Sequence, residues 1–353
     1  MNTDARQASK VIDSVAKAVA NWTADEHERE NPDLPNRYGS AWRPEWTDHT
    51  LSQIHMLAQA VAVRSTDLFV HHVCWTYDSF EARGIQGADL IQNTNCMRNV
   101  LARELPPPVA QAVLPFVDTS IAEMQSADRK RDADPPLDAR YRERTLEYLK
   151  AILEGDRTAA ESLILATLDE GTTIAEVYEG IVAPAQARLG RMWHRGEISV
   201  ADEHFGSATT QSVMSLLRPR FAKAKPNRRI LVATSTPGDL HEIGLRMVSD
   251  LFEIDGWSVI YLGANTPTAA LVELLDRRQP NLLALSVSTG LTLRDAGELI
   301  ETIRGTGNIA NMKILIGGPP FTLAPDLWRE LGADGYAASC TEAVKLGNRL
   351  VAC

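Results

Sequence analysis

The sequence predicts an α plus α/β protein, and three observations carry that prediction. From Arg228 onward, short runs of branched apolar residues alternate with helix-period segments, as in a parallel sheet covered by helices on both faces. Residues 140–222 show helical periodicity alone, with short breaks at Glu154-Gly-Asp and Glu170-Gly-Thr-Thr that suit antiparallel helices in a bundle. Residues 1–127 are again helical in period. A charged, double-proline stretch beginning at Ser126 separates them from the rest and reads as a linker over 128–139.

The first region predicts about five helices. One covers 4–22, and a Pro/Asn-rich loop follows at Asn31-Pro-Asp-Leu-Pro-Asn. Thr47 or Asp48 is the expected cap of a helix through Leu51, Ile54, Leu57, Ala58 and Val61. Others are expected over 66–83, 88–104 and, after Pro106-Pro-Pro, 108–124. The second region predicts helices over 140–154, 157–169, 173–194 and 200–217, the last opened by a capping box, Ser199-Val-Ala-Asp202. In the third region, 226–353, strands are expected at Arg229–Thr234, Trp257–Leu262, Leu282–Ser288, Met312–Ile316 and near Gly335–Ala338. Helices fall between them, so the sheet is five-stranded and flavodoxin-like, with ligands expected at the strands' carboxyl ends.

Composition narrows the function. A net charge of −10 disfavours a broad grip on nucleic acid or an anionic membrane. Four widely spaced cysteines, Cys74, Cys96, Cys340 and Cys353, form no CxxC pair, against a zinc ribbon or a disulfide framework. The start is polar and helical, without the apolar core of a signal peptide, and no run of 18 apolar residues is present. The expectation is a cytoplasmic protein that neither spans membranes nor binds DNA directly.

The chemistry concentrates after the first strand, at Asp239-Leu-His241-Glu-Ile-Gly244. A neutral imidazole is a good metal ligand, and a carboxylate two residues earlier can fix its tautomer. Residue 245 is Leu, so the second histidine of a zinc-protease helix is missing. Gly244 removes a side chain where another body must approach. Ser286 and Ser288 close the third strand and Gly317-Gly318 the fourth, so all three clusters lie at strand carboxyl ends.

This constellation over 228–353 resembles the cobalamin-binding domains of methyltransferases, mutases and cobalamin photoreceptors. The resemblance implies that His241 is the lower cobalt ligand and Asp239 its orienting partner. It also implies that Ser286, Ser288, Gly317 and Gly318 line the slot for the nucleotide tail. In the bundle, Trp193 is followed by Glu203-His204, a W-x9-EH spacing that resembles the light-sensing members. Gly196 and Ser199 break the chain between two helices, so Trp193, Glu203 and His204 can face one cavity, the indole stacking over an upper ligand and the carboxylate binding ribose hydroxyls. The same resemblance makes His194 the candidate cobalt ligand after photolysis.

Residues 1–127 are similar to the globin-like helical module that precedes the cobalamin domain in photocobilins. That similarity implies a bilin such as biliverdin, with Arg43, His55, His71, His72, Cys74 and Tyr77 as candidate contacts, and Cys74 or Cys96 as a candidate thioether site. The resulting expectation is a light sensor, not an enzyme. It would bind adenosylcobalamin and biliverdin, change its self-association or partner contact with light, and act either alone or through a separate partner. The rivals are a corrinoid protein carrying a methyl group for a methyltransferase system and a flavodoxin-like module that binds no cobalamin.

Overall fold

The computed structural model describes residues 3–129 and 133–352, and divides into two compact units, Met1–Asp132 with Gly290–Arg294, and the remainder. In the first unit six helices are described: α1 Thr3–Glu30, α2 Leu34–Tyr38, α3 Trp42–Ala62, α4 Thr66–Glu81, α5 Gly87–Glu104 and α6 Pro107–Gln125. Its globin-like character stays an expectation of the sequence.

Three of its elements depart from the sequence reading. Helix α1 does not stop at residue 22 but runs to Glu30. Its inward face, Ile12, Ala16, Val19 and Ala20, continues through Thr23 and His27, polar residues that are fully buried. The expected loop holds α2, because Leu34 is buried against Trp42, Trp46 and Leu90. Thr47 and Asp48 are not caps: α3 already begins at Trp42, with Pro44 tolerated in its first turn.

In the second unit the bundle comprises α7 Arg142–Leu153, α8 Arg157–Asp169, α9 Ile174–Val177, a π-helical turn Tyr178–Val182, α10 Ala183–His194 and α11 Val200–Leu217. Capping boxes open α9 at Thr173/Glu176 and α11 at Ser199/Asp202, the second as expected. The π turn packs closely against α7 and the residue before it. The Thr145 hydroxyl donates to the Gly180 carbonyl at 2.9 Å, and a Cβ at Gly180 would stand 2.3 Å from the Tyr141 ring. The bundle core contains Tyr148, Tyr178, Ile181, Leu189 and Met214, and extends onto Met247, Leu251 and Cys340 of the α/β portion.

The α/β portion runs β1 Ile230–Ser235, α12 Ile243–Ile254, β2 Ser258–Gly263, α13 Thr268–Arg278, β3 Leu282–Ser286, α14 Leu293–Gly305, β4 Lys313–Gly317, α15 Pro320–Leu323, α16 Leu327–Glu330, β5 Gly335–Tyr336 and α17 Cys340–Ala352. All pairings are parallel, in the order β2-β1-β3-β4-β5. Strand β3 ends at Ser286, so Ser288 lies beyond the strand it was expected to close. Of the expected linker 128–139, residues 130–132 lie outside the described residues, and the others are in neither helix nor strand. Asp134 there pairs with Arg195 of the bundle at 2.9 Å. No described helix is long and apolar enough to cross a membrane.

Candidate cobalamin site

Register places Ser235, Ser286 and Gly317 side by side at the carboxyl ends of β1, β3 and β4. The loop after β1 rises from that edge and carries Asp239 and His241. Asp239 is buried, and its Oδ1 accepts from the His241 backbone N–H at 3.0 Å and lies 2.9 Å from His241 Nδ1. Its Oδ2 accepts from the Ser288 backbone N–H at 2.6 Å. Burial works against this carboxylate's charge, but the three hydrogen bonds hold it below the usual range. The same bond from Asp239 raises the His241 imidazole above its ordinary value against the effect of burial, and the charge of Glu203 across the gap raises it further.

With Nδ1 turned to Asp239, Nε2 is the nitrogen left for a metal. The ring is 70% exposed, beside Leu240, an apolar side chain 72% exposed. A Cβ on Gly244 would meet nothing within 4 Å, so the face beside His241 is open, not closely approached by protein. An imidazole oriented from behind and an apolar side chain beside it fit a metal held in a flat apolar macrocycle.

The loop has supports that sequence reading missed. Gly238 donates its backbone N–H to Asn265 Oδ1 at 2.8 Å, and Thr234 bonds Thr266 at 2.9 Å. Both partners lie in the turn after β2, and Asn265 takes a left-handed conformation, φ 55°. That Gly-Ala-Asn-Thr-Pro turn was the available signal. Ser286 acts here through its carbonyl, which accepts from the Thr236 amide and hydroxyl. Gly318 has its own reason to be glycine: φ is 129°, and a Cβ would stand 1.8 Å from the Val287 carbonyl oxygen. A Cβ on Gly317 would meet only the Ala337 carbonyl, at 3.3 Å.

On the bundle side Trp193 and Glu203 are half-buried. Glu203 accepts from the Ser207 hydroxyl at 2.8 Å and lies 2.8 Å from Nδ1 of His204, whose ring is exposed. His194 is only 5% exposed, which removes the alternative of a solvent-facing helix end.

Residues 229–345 match the B12-binding domain family, and residues 146–218 match a second B12-binding domain family. The chain is a cobalamin-binding protein. A corrinoid protein of Desulfitobacterium hafniense is 25% identical over 211 residues, 58% of this chain and 96% of that one. Dimethylamine corrinoid protein 1 of Methanosarcina mazei is 24% identical over the same shares. Among solved structures, the monomethylamine corrinoid protein of Methanosarcina barkeri aligns with 60% of this chain and 99% of its own, at 20% identity and a TM-score of 0.54, a likeness of fold.

In the first unit of this cobalamin-binding protein, the candidate bilin residues are not gathered at one place. Arg43 is held at the surface by Asp25 and Glu28, and His55 is exposed beside the half-buried Asp13, each pairing with a carboxylate of α1. Tyr77 donates to Glu81 and lies under Arg129, while His71 is half-buried. Burial pushes the thiols of Cys74 to about 11 and Cys96 to about 12, so neither is a ready nucleophile for a thioether.

His72 does point inward, where it meets residues the sequence did not single out. Nε2 of His72, Nε2 of His27 and Oε1 of Gln53 are buried without a hydrogen-bond partner. His49 lies among them, 3.0 Å from Gln53 Nε2 and between the rings of Trp46 and Phe80. Burial lowers all three imidazoles, His27 and His72 to about 4 and His49 to about 3, so they are neutral.

Proposed function

We propose that this protein is a light sensor that binds adenosylcobalamin between bundle and sheet. The observation that carries the reading is on the bundle side: Trp193 is half-buried, the adjacent His194 is buried, and Glu203 is near enough to His241 to act on its charge. Bound adenosylcobalamin would supply a cobalt–carbon bond that visible light cleaves. His241 would hold the metal from below, Trp193 would cover the adenosyl side and Glu203 would accept from ribose hydroxyls. With the cover emptied, His194 is the imidazole at hand to approach from above. The output is a change in self-association or in docking to a separate partner.

A second reading, a corrinoid carrier of methyl groups, is favoured by the relatives, one named as a corrinoid protein and one as a dimethylamine corrinoid protein, each matching 58% of the chain. Absorbance spectra of the adenosylcobalamin-loaded chain before and after illumination separate the two. The sensor is expected to change its spectrum, and His194→Ala to photolyse to a product with a different spectrum from that of the natural chain. A spectrum indifferent to light ends the sensor reading and leaves the carrier.

For the first unit, biliverdin is the ligand the reading includes. Three orphaned polar atoms beside aromatic rings support it, since buried polar groups ordinarily find partners. Co-expression with a bilin-producing enzyme is expected to give a chain absorbing in the red, and His72→Ala to weaken that band. A colourless full-length product counts against a bilin.

A further inference from the structure

Residue 242, the position after the candidate cobalt ligand, carries a carboxylate that engages two other elements. Glu242 Oε1 accepts from Gln211 Nε2 of α11 at 2.9 Å, and Oε2 accepts from the Tyr261 hydroxyl of β2 at 2.9 Å. The carboxylate sits in a hollow made for it. The pairing of β1 with β2 shifts register at Thr234/Gly263, Gly263 has φ 73°, and a Cβ there would lie 2.9 Å from Glu242 Oε2. Burial, then the nearby Glu242, raises the Tyr261 phenol, which therefore stays a donor.

Glu242 is also the head of a polar ladder. Below it Arg246 donates to the Gln211 carbonyl at 3.3 Å and to the Ser215 hydroxyl at 2.8 Å. One turn further, Arg218 donates to Asp250 at 3.0 Å and to Glu253 at 2.7 Å, and Asp250 accepts from Tyr178 of the π turn at 2.7 Å. Residues 211 and 215 share one face of α11, with 218 just past its end, and 242, 246 and 250 follow one line at the start of α12 and along it. A cavity of about 330 Å³ opens beside this seam, lined by Arg218, Arg246, Asp250 and Tyr261 among others. Along this line directed hydrogen bonds join the two bodies, beside the apolar contact that Met247 and Leu251 make with the bundle core.

We propose that Glu242 is a positioning residue for His241: it ties the loop carrying the imidazole to α11 on one side and to β2 on the other. Asp239 sets the ring's tautomer and tilt, while Glu242 sets where the backbone under the ring stands relative to the bundle. Freed of either tie, the loop can carry the imidazole away from the metal even though the Asp239 bond is intact. The inference rests on the lower-ligand reading of His241, and the experiment separates the two.

The full chain is loaded with cobalamin and reduced to the cobalt(II) state, in which a nitrogen ligand splits the electron paramagnetic resonance lines. Binding is followed by absorbance titration. Glu242→Ala is expected to weaken cobalamin binding about tenfold, the lower end of what outer partners of a metal ligand contribute, and to add a population without nitrogen splitting. Glu242→Gln, which can still bond both neighbours, restores both readouts. Gln211→Ala and Tyr261→Phe each remove one tie and carry the test if Glu242→Ala does not fold. The double change Gln211→Ala/Glu242→Ala is expected to be no worse than Glu242→Ala alone. Natural affinity and undiluted nitrogen splitting in Glu242→Ala, or in both single-tie variants, overturn the inference. His241→Ala is the reference: if it too keeps the splitting, the ligand reading itself has failed.

Discussion

His241→Ala is expected to abolish nitrogen ligation from below the cobalt. The ring is aimed by Asp239, whose two oxygens are engaged by His241 and Ser288. A methyl group at 241 leaves that buried carboxylate only its two backbone N–H donors, at 241 and 288, and the metal without its imidazole. Loss of an outer partner of a metal ligand costs about 10–100-fold in affinity, and loss of the ligand itself is expected to reach the upper end of that range. The sign with pH follows from the raised value of the imidazole. A proton and cobalt compete for Nε2, and a base stronger than usual holds its proton to higher pH, so cobalamin binding is expected to strengthen as pH rises. Absorbance titration at several pH values checks this. Equal affinity of His241→Ala and the natural chain, with the nitrogen splitting retained, would remove His241 from the site.

The second large effect concerns acid. In the first unit His27 and His72 are lowered to about 4 and His49 to about 3, against 6.5 in an unfolded chain, with burial as the main cause. Below pH 6.5 the unfolded chain takes up protons that the folded unit refuses, so the folded state loses stability as pH falls and is unaffected above about 7. Each imidazole contributes about 1.4 kcal/mol per pH unit within that window, or about 2 kcal/mol at pH 5. Three of them amount to a large part of the roughly 5–15 kcal/mol that holds a domain together. Pulse proteolysis of the full chain in urea at pH 7 and pH 5, with fragments assigned by mass, reads the two units separately. Helices α1, α3 and α4 are expected to be cut at distinctly lower urea at pH 5. His49→Phe, placed between Trp46 and Phe80, should lessen that difference. An unchanged midpoint for those helices would show that the imidazoles are not buried neutral.

Where sequence and structure part company, the cause is distance along the chain. A cation and an imidazole suit a bilin, which makes Arg43 and His55 candidate contacts in the sequence, but each pairs with a carboxylate of α1. His27 sat in a polar stretch that looked like the end of a helix, yet its partner Asn93 is 66 residues away. Burial of Thr23 and His27 against other helices accompanies the continuation of α1, and local propensity does not record it. The glycine at 318 was legible as a glycine but not its reason, which is the backbone of Val287.

Strand–helix alternation from Arg228, the caps of the bundle and the Asp239–His241–Gly244 spacing depend on residues close in sequence, and short-range sterics and hydrogen bonding make such patterns readable from the letters alone. They were enough to determine a five-stranded parallel sheet, the bundle before it and the cobalamin class. Tertiary structure alone decided that His27, His49 and the Nε2 edge of the half-buried His72 share an interior, that His194 is buried, and that Glu242 reaches both Gln211 and Tyr261. These are meetings between elements, and a side chain's partner across a packed interface is set by how whole helices and strands come together, which no periodicity records.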